Sequence, residues 1–192
     1  MKKSWLKENY IACFKFFKES EKHILFATLL FFITAFIGFL FPIFFREQII
    51  DIMTQMIGLL DGKSAFELVS LIFFNNMKAS FMAMVLGIAI GIFPIFTGIV
   101  NGYILGFVSR QVVAVEGIWV MWQLLPHGIF EIPAILFSIG IGVKIGTDLF
   151  KEKAKEKLRK NFREGLRFFV FVVFPLLLIA GIIEGLLIAI LG

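Results

Sequence analysis

Residues 24–45 run for 22 positions, from Ile24 to Phe45, without one charged side chain. About 20 apolar residues in a helix cross the hydrocarbon core of a bilayer, so this run reads as a spanning helix. Similar runs recur to the C-terminal end, and no segment between them is long enough for a separate globular domain. With 59% apolar residues and a mean hydropathy of +0.94, the 192-residue chain lies outside the range of soluble domains. The expectation is an all-α fold: a polytopic helical membrane protein with about five transmembrane spans plus interfacial amphipathic helices, in one membrane domain over 1–192. The first run lacks a small-residue cleavage site, which marks it as a span and not as a removed signal peptide. A single cysteine, Cys13, excludes an intramolecular disulfide.

Orientation follows from Lys and Arg, which stay on the cytoplasmic side when they flank spans. Residues 1–23 carry six lysines against three glutamates, and Lys151 to Arg167 carry eight basic residues against three acidic ones. Arg46 to Lys78 carry only three basic residues against four acidic ones. Segments 1–23 and 147–166 are therefore expected inside and 46–78 outside, which requires an odd number of crossings between residues 80 and 150. That selects spans at about 24–45, 79–97, 98–115, 118–146 and 167–191, with the N-terminus cytoplasmic and the C-terminus outside in a cell membrane. Pro94, Gly98, Asn101 and Gly102 interrupt the second and third spans, so a re-entrant pair fits the same residues. Pro126 is expected to split the fourth into a short segment near 118–125 and a main helix from His127.

Apolar positions Ile49, Ile52, Met53, Met56, Ile57 and Leu60 recur at helical spacing and predict an amphipathic helix on the outer surface. Leu6, Tyr10, Cys13, Phe14 and Phe17 form a like stripe among lysines, suited to a leaflet rich in anionic lipid. Ser64-Ala65-Phe66-Glu67 matches a capping box, so a second outer helix is expected to start there. Residues 147–166 read as a solvated basic loop with helical character, where Glu156 can pair with Lys160. The positive-inside rule accounts for that charge, and no nucleic-acid partner is expected. Gly87 with Gly91, Gly98 with Gly102 and Gly106, and Gly142 with Gly146 are spaced four apart, which lets membrane helices pack closely. These faces are expected to support close packing and self-association as a homo-oligomer, with a dimer as its simplest form.

Asn101, His127, Glu131 and Glu184 are the polar residues expected inside the membrane, where ionisable groups are costly and usually face the bundle interior. His127 and Glu131 stand one helical turn apart in Pro126-His127-Gly128-Ile129-Phe130-Glu131-Ile132-Pro133. Four readings compete. The groups can form a polar knot that locks helices, or a relay for ion transport. His127, Glu131 and Glu184 can also bind a metal such as zinc. An intramembrane hydrolase is the fourth, but no nucleophile for it is located, and no catalytic residue is assigned. No cofactor is expected apart from that zinc alternative.

Several motifs occur in a fixed order: Phe74-Asn75-Asn76 before a glycine-rich span, Asn101-Gly102-Tyr103-Ile104-Leu105-Gly106, Leu125-Pro126-His127-Gly128 with Glu131 and Pro133, and Ile183-Glu184 in the last span. This series resembles the stage II sporulation protein M family of integral membrane proteins over roughly residues 10–190. The resemblance implies a multi-pass membrane protein that is not a recognised enzyme. In spore formers it implies an anchor for peptidoglycan-degrading partners during engulfment. The polar positions carried over are Asn75, Asn76, Asn101, His127, Glu131 and Glu184. The reading that follows is a membrane scaffold or assembly factor that meets the lipid bilayer and other membrane or cell-envelope proteins. A small-solute or ion transporter or channel is the alternative.

Overall fold

A computed structural model describes residues 4–60 and 62–191; the side chains of residues 56, 57, 59, 60, 65, 120, 123–127 and 188–191 lie outside the description. Among the described residues seven α-helices follow one another: α1 (Trp5–Leu40), α2 (Arg46–Leu60), α3 (Ala65–Val85), α4 (Ile92–Glu116), α5 (Met121–Thr147), α6 (Ala154–Phe168) and α7 (Phe174–Leu191). No β-strand occurs among the described residues. Five stretches are long and apolar enough to cross a membrane: Trp5–Leu40, Phe66–Ile88, Ile92–Glu116, Gly128–Phe150 and Ala154–Leu187. At 1.5 Å per residue α1 is about 54 Å long, well beyond a hydrocarbon core of about 30 Å, so its lysine-bearing start exceeds what a crossing needs.

The five spans stand, but the first ends at Leu40, short of the expected Phe45, where the chain turns before α2, and the second and third shift. The chain reverses at Leu86–Gly91, not at the glycines from 98 onward. A 3-10 turn at Leu86–Ile88 is followed by Ile90 and Gly91, both in the left-handed region with φ of 59° and 71°. Gly91 N–H closes the turn on the Gly87 carbonyl at 2.8 Å. Pro94 therefore sits in the first turn of α4, where its missing N–H has no helical partner to lose. Ser64 does form a capping box: its hydroxyl accepts from Glu67 N–H at 3.4 Å, and its own N–H donates to the Glu67 carboxylate at 2.9 Å. The helix it starts is the second span itself rather than an outer helix.

Two further differences involve prolines. The α5 backbone runs unbroken through Pro126, preceded only by a 3-10 turn at Ile118–Val120. Membrane helices tolerate such a proline because other groups re-satisfy the freed carbonyl. Before Pro175 the helix widens into a π-helical segment, Phe169–Val173, that joins α6 to α7. Proline removes an amide and crowds the preceding turn, and a wider turn relieves that clash.

Helix α5 is the centre, packed by α1, α3, α4 and α7. Helices α1 and α4 run parallel, since Gly102 meets Phe31 and Thr34 while Gly38 meets Tyr103 and Phe107. The end of α3 and the turn after it follow α5 in the same direction, with Ala83 and Gly87 on Gly142 and then Gly91 on Gly146. Helix α7 runs against α3, bringing Gly181 to Phe73 and Gly185 to Val69. A Cβ at Gly87 would fall 2.7 Å from the Gly142 carbonyl carbon, and one at Gly140 would fall 2.6 Å from the Ile24 Cα. Backbone-to-backbone contact of this kind is what small residues permit between membrane helices.

Candidate functional site: two polar layers at opposite ends of the bundle

The first layer contains part of the set expected from the sequence. Glu131 on α5 and Glu184 on α7 are half-buried, and one carboxylate oxygen of each is fully buried. Asn76 of α3 and Glu131 of α5 both lie before the contact of Ala83 and Gly87 with Gly142, on two stretches that run the same way. Pairing of Val69 with Gly185 places Glu184 in the same half of the bundle. Asn76 is half-buried, whereas Asn75 is exposed. Asn101 does not join them: it lies on the exposed face of α4, and its amide donates to the Thr97 carbonyl of its own helix at 2.8 Å. The His127 side chain lies outside the described residues. Among those described, no three His, Cys, Asp or Glu residues converge as metal ligands do.

The glycines expected to drive self-association are occupied within the chain. Gly102 and Gly106 meet α1, and Gly87 and Gly91 meet α5. Gly98 makes only ordinary contact with the Ile139 side chain.

The second layer was not expected and lies at the other end of α5, 13 residues or about 20 Å from Glu131. Lys144, only 6% exposed, donates to the Ser20 hydroxyl at 3.1 Å and lies 4.4 Å above the Phe16 ring. Glu19 faces Lys144 at 3.9 Å and Lys160 of α6 at 3.1 Å. One turn on, Asp148 is 2% exposed and accepts from Lys151 at 2.9 Å and from the Asn161 amide. His23 shares a hydrogen with Thr147 across 3.3 Å. A buried ammonium loses its hydration, and the hydroxyl, ring face and shared carboxylate offset that loss. The layer ties α1, α5 and the middle of α6 into one junction.

Ser20 and Lys144 have the residue types of a nucleophile and its base. The Ser20 hydroxyl, however, is wholly buried and gives its hydrogen to the Phe16 carbonyl at 2.7 Å, as a helix-bound serine does. The pair is structural. Lys160, expected to pair with Glu156 on its own helix, reaches across to Glu19 instead.

A helical bundle with five stretches able to cross a membrane, glycine-tight seams and a polar layer at each end defines a multi-pass membrane protein. The sequence pattern of the Stage II sporulation protein M family matches residues 27–187, and the chain belongs to that family. An uncharacterized protein of Methanocaldococcus jannaschii is 32% identical over 114 residues, which are 56% of this chain and 51% of that protein. The chain thus spans about half the length of this curated relative. No solved structure matches it.

Proposed function

We propose that the chain is a membrane scaffold or assembly factor that positions other membrane or cell-envelope proteins, with the N-terminus cytoplasmic and the C-terminus outside. One observation carries this reading: the segment of α5 between the two polar layers is a filled, apolar core. Ala134, Leu136, Ile139, Ile141 and Val143 are buried there, and the Ser138 hydroxyl returns its hydrogen to Ala134 O at 3.0 Å. A polar pathway along α5 from one layer to the other would have to pass this segment, and side chains and glycine seams fill it. Rigid packing of that kind suits a platform. In this reading the chain associates with itself through lipid-facing surface, because Gly87, Gly91, Gly102 and Gly106 are occupied.

The second reading is transport of a small solute or ion, supported by the buried carboxylate oxygens of Glu131 and Glu184. Ionisable groups at such depth often mark a pathway. The two readings separate experimentally. Photo-reactive residues at exposed positions 36, 96 and 179 should cross-link defined protein partners in the native membrane, and Glu131→Gln should retain them. The scaffold reading fails if these positions reach only lipid while reconstituted vesicles show a solute flux that Glu131→Gln abolishes.

A further inference from the structure

The geometry points to a binding site for the phosphate of an anionic phospholipid in the cleft between the N-terminal half of α1 and α6. The cleft has a volume of about 190 Å3 and is lined by Ala12, Lys15, Phe16, Glu19, Lys160, Glu164 and Arg167. Three cations face two carboxylates. Lys160 uses one N–H on Glu19 at 3.1 Å, and Arg167 uses one on Glu164 at 2.6 Å. An ammonium has three donors and a guanidinium five, so both retain free N–H groups directed by an existing bond. Lys15 has no ion-pair partner among the described residues. The cleft is therefore richer in donors than in acceptors, which is the chemistry a phosphate completes.

Its height in the molecule selects lipid as the source. Trp5 and Tyr10 are exposed, and their rings pack edge-on against Phe171 at 5.5 and 5.8 Å between centroids. Tryptophan and tyrosine favour the headgroup level of a bilayer. Arg167 precedes Phe171 by four residues, about 6 Å along a helix, so the cleft opens at that level. The surroundings match an anionic surface. Residues 151–163 expose seven Lys or Arg against two Glu, and Lys18 and Lys22 are exposed on α1. Exposed Leu6, Ile11 and Phe14 on the same helical segment give acyl chains a surface to cover. This site is independent of the scaffold reading, because it concerns the lipid and not a protein partner.

Thermal unfolding of the full chain in a neutral detergent tests it, with phosphatidylglycerol, phosphatidylcholine or inorganic phosphate added at equal phosphorus. Phosphatidylglycerol should raise the transition of the native protein in a saturable manner, and the other two should not. In Lys15→Gln the half-saturating lipid concentration should rise about fivefold, the weight of one lysine at an anionic surface. Lys15→Arg should restore it, and Lys63→Gln, just ahead of α3, should leave it unchanged. An equal shift with phosphatidylcholine would show that only apolar contact matters and overturn the proposal. Inorganic phosphate reproducing the shift would overturn the lipid as source. Native half-saturation in Lys15→Gln would remove the cleft as the site.

Discussion

The stripe Gly98, Gly102 and Gly106 on α4 is uniform in sequence, yet alanine should act with opposite sign along it. A Cβ at Gly106 would lie 2.7 Å from the Ala35 carbonyl carbon and 2.8 Å from the Phe39 nitrogen, and one at Gly102 would lie 3.1 Å from the Phe31 carbonyl carbon with the Thr34 hydroxyl and Phe31 carbonyl oxygen nearer still. Non-bonded heavy atoms are comfortable at about 3.5–4.0 Å, so at Gly106 α1 and α4 must separate by roughly 1 Å. The obstructing atoms are backbone, and no rotamer change relieves them. Overpacking costs typically about 1–3 kcal/mol, from which the helical preference of alanine returns about 0.5–1 kcal/mol. Gly106→Ala should thus destabilise by about 1–2 kcal/mol, and Gly102→Ala should follow it. At Gly98 the added Cβ would meet only the Ile139 side chain at 3.7 Å, ordinary contact. Gly98→Ala should be neutral or stabilising by up to about 1 kcal/mol. Unfolding in mild detergent, followed by loss of the monodisperse peak on heating, reads the order. Equal destabilisation by Gly98→Ala and Gly106→Ala, or none by either, would refute the account of α4 packed on α1.

Other outcomes follow from the two polar layers and the fold. Asp148→Ala leaves the buried Asn161 amide without its acceptor and should cost about 1.5–3 kcal/mol, read by the same unfolding assay; a loss under about 0.5 kcal/mol would mean the junction contributes little. Lys144→Met keeps an unbranched side chain over Phe16 and frees Glu19 for Lys160, so stability should change by less than about 1 kcal/mol, whereas Lys144→Ala should lose more through the cavity it leaves. Collapse of Lys144→Met would show that the ammonium itself is required. Elemental analysis of the purified chain beside His127→Ala and Glu131→Ala is expected to return no stoichiometric transition metal; a metal lost from both variants would establish a metal site. In a Cys13→Ala background, an impermeant thiol reagent outside the cell should label a cysteine at position 63 and spare one at 155, and the reverse pattern would invert the orientation.

The five spans were legible because hydropathy over about 20 residues and the Lys/Arg balance are long-range averages that single residues barely disturb. The position of one reversal was not. Proline and glycine mark breaks in water-soluble helices, so a turn was expected among Pro94, Gly98 and Gly102. In this bundle Pro94 starts a helix and Gly102 lets another backbone approach, and the turn falls at Ile90 and Gly91. Whether a glycine bends the chain or seats a neighbour depends on the facing helix. That neighbour, Phe31 at Gly102 and Ala35 at Gly106, lies about 70 residues away in the chain.

The polar residues divide along the same line. Glu131 and Glu184 stand out in the sequence by their cost in an apolar run, since a carboxylate there needs a partner wherever the helices lie. Lys144 and Asp148 stand near the end of a span beside a basic segment, where snorkelling into water is the ordinary reading. Their spacing of four residues at the end of an apolar run was a usable signal, because it puts an ammonium and a carboxylate on one helix face. It points the wrong way about the partners, however. Lys144 turns to Ser20 and Glu19, and Asp148 to Asn161 and Lys151, so the pair divides between α1 and α6 instead of closing on itself. A self-paired Lys144 and Asp148 would leave α6 joined to α5 without the Asp148–Asn161 bond and Ser20 without its Lys144 donor. Divided between two helices, the same residues fix where the middle of α6 meets α1, and that junction forms one wall of the cleft in which Lys15, Lys160 and Arg167 meet.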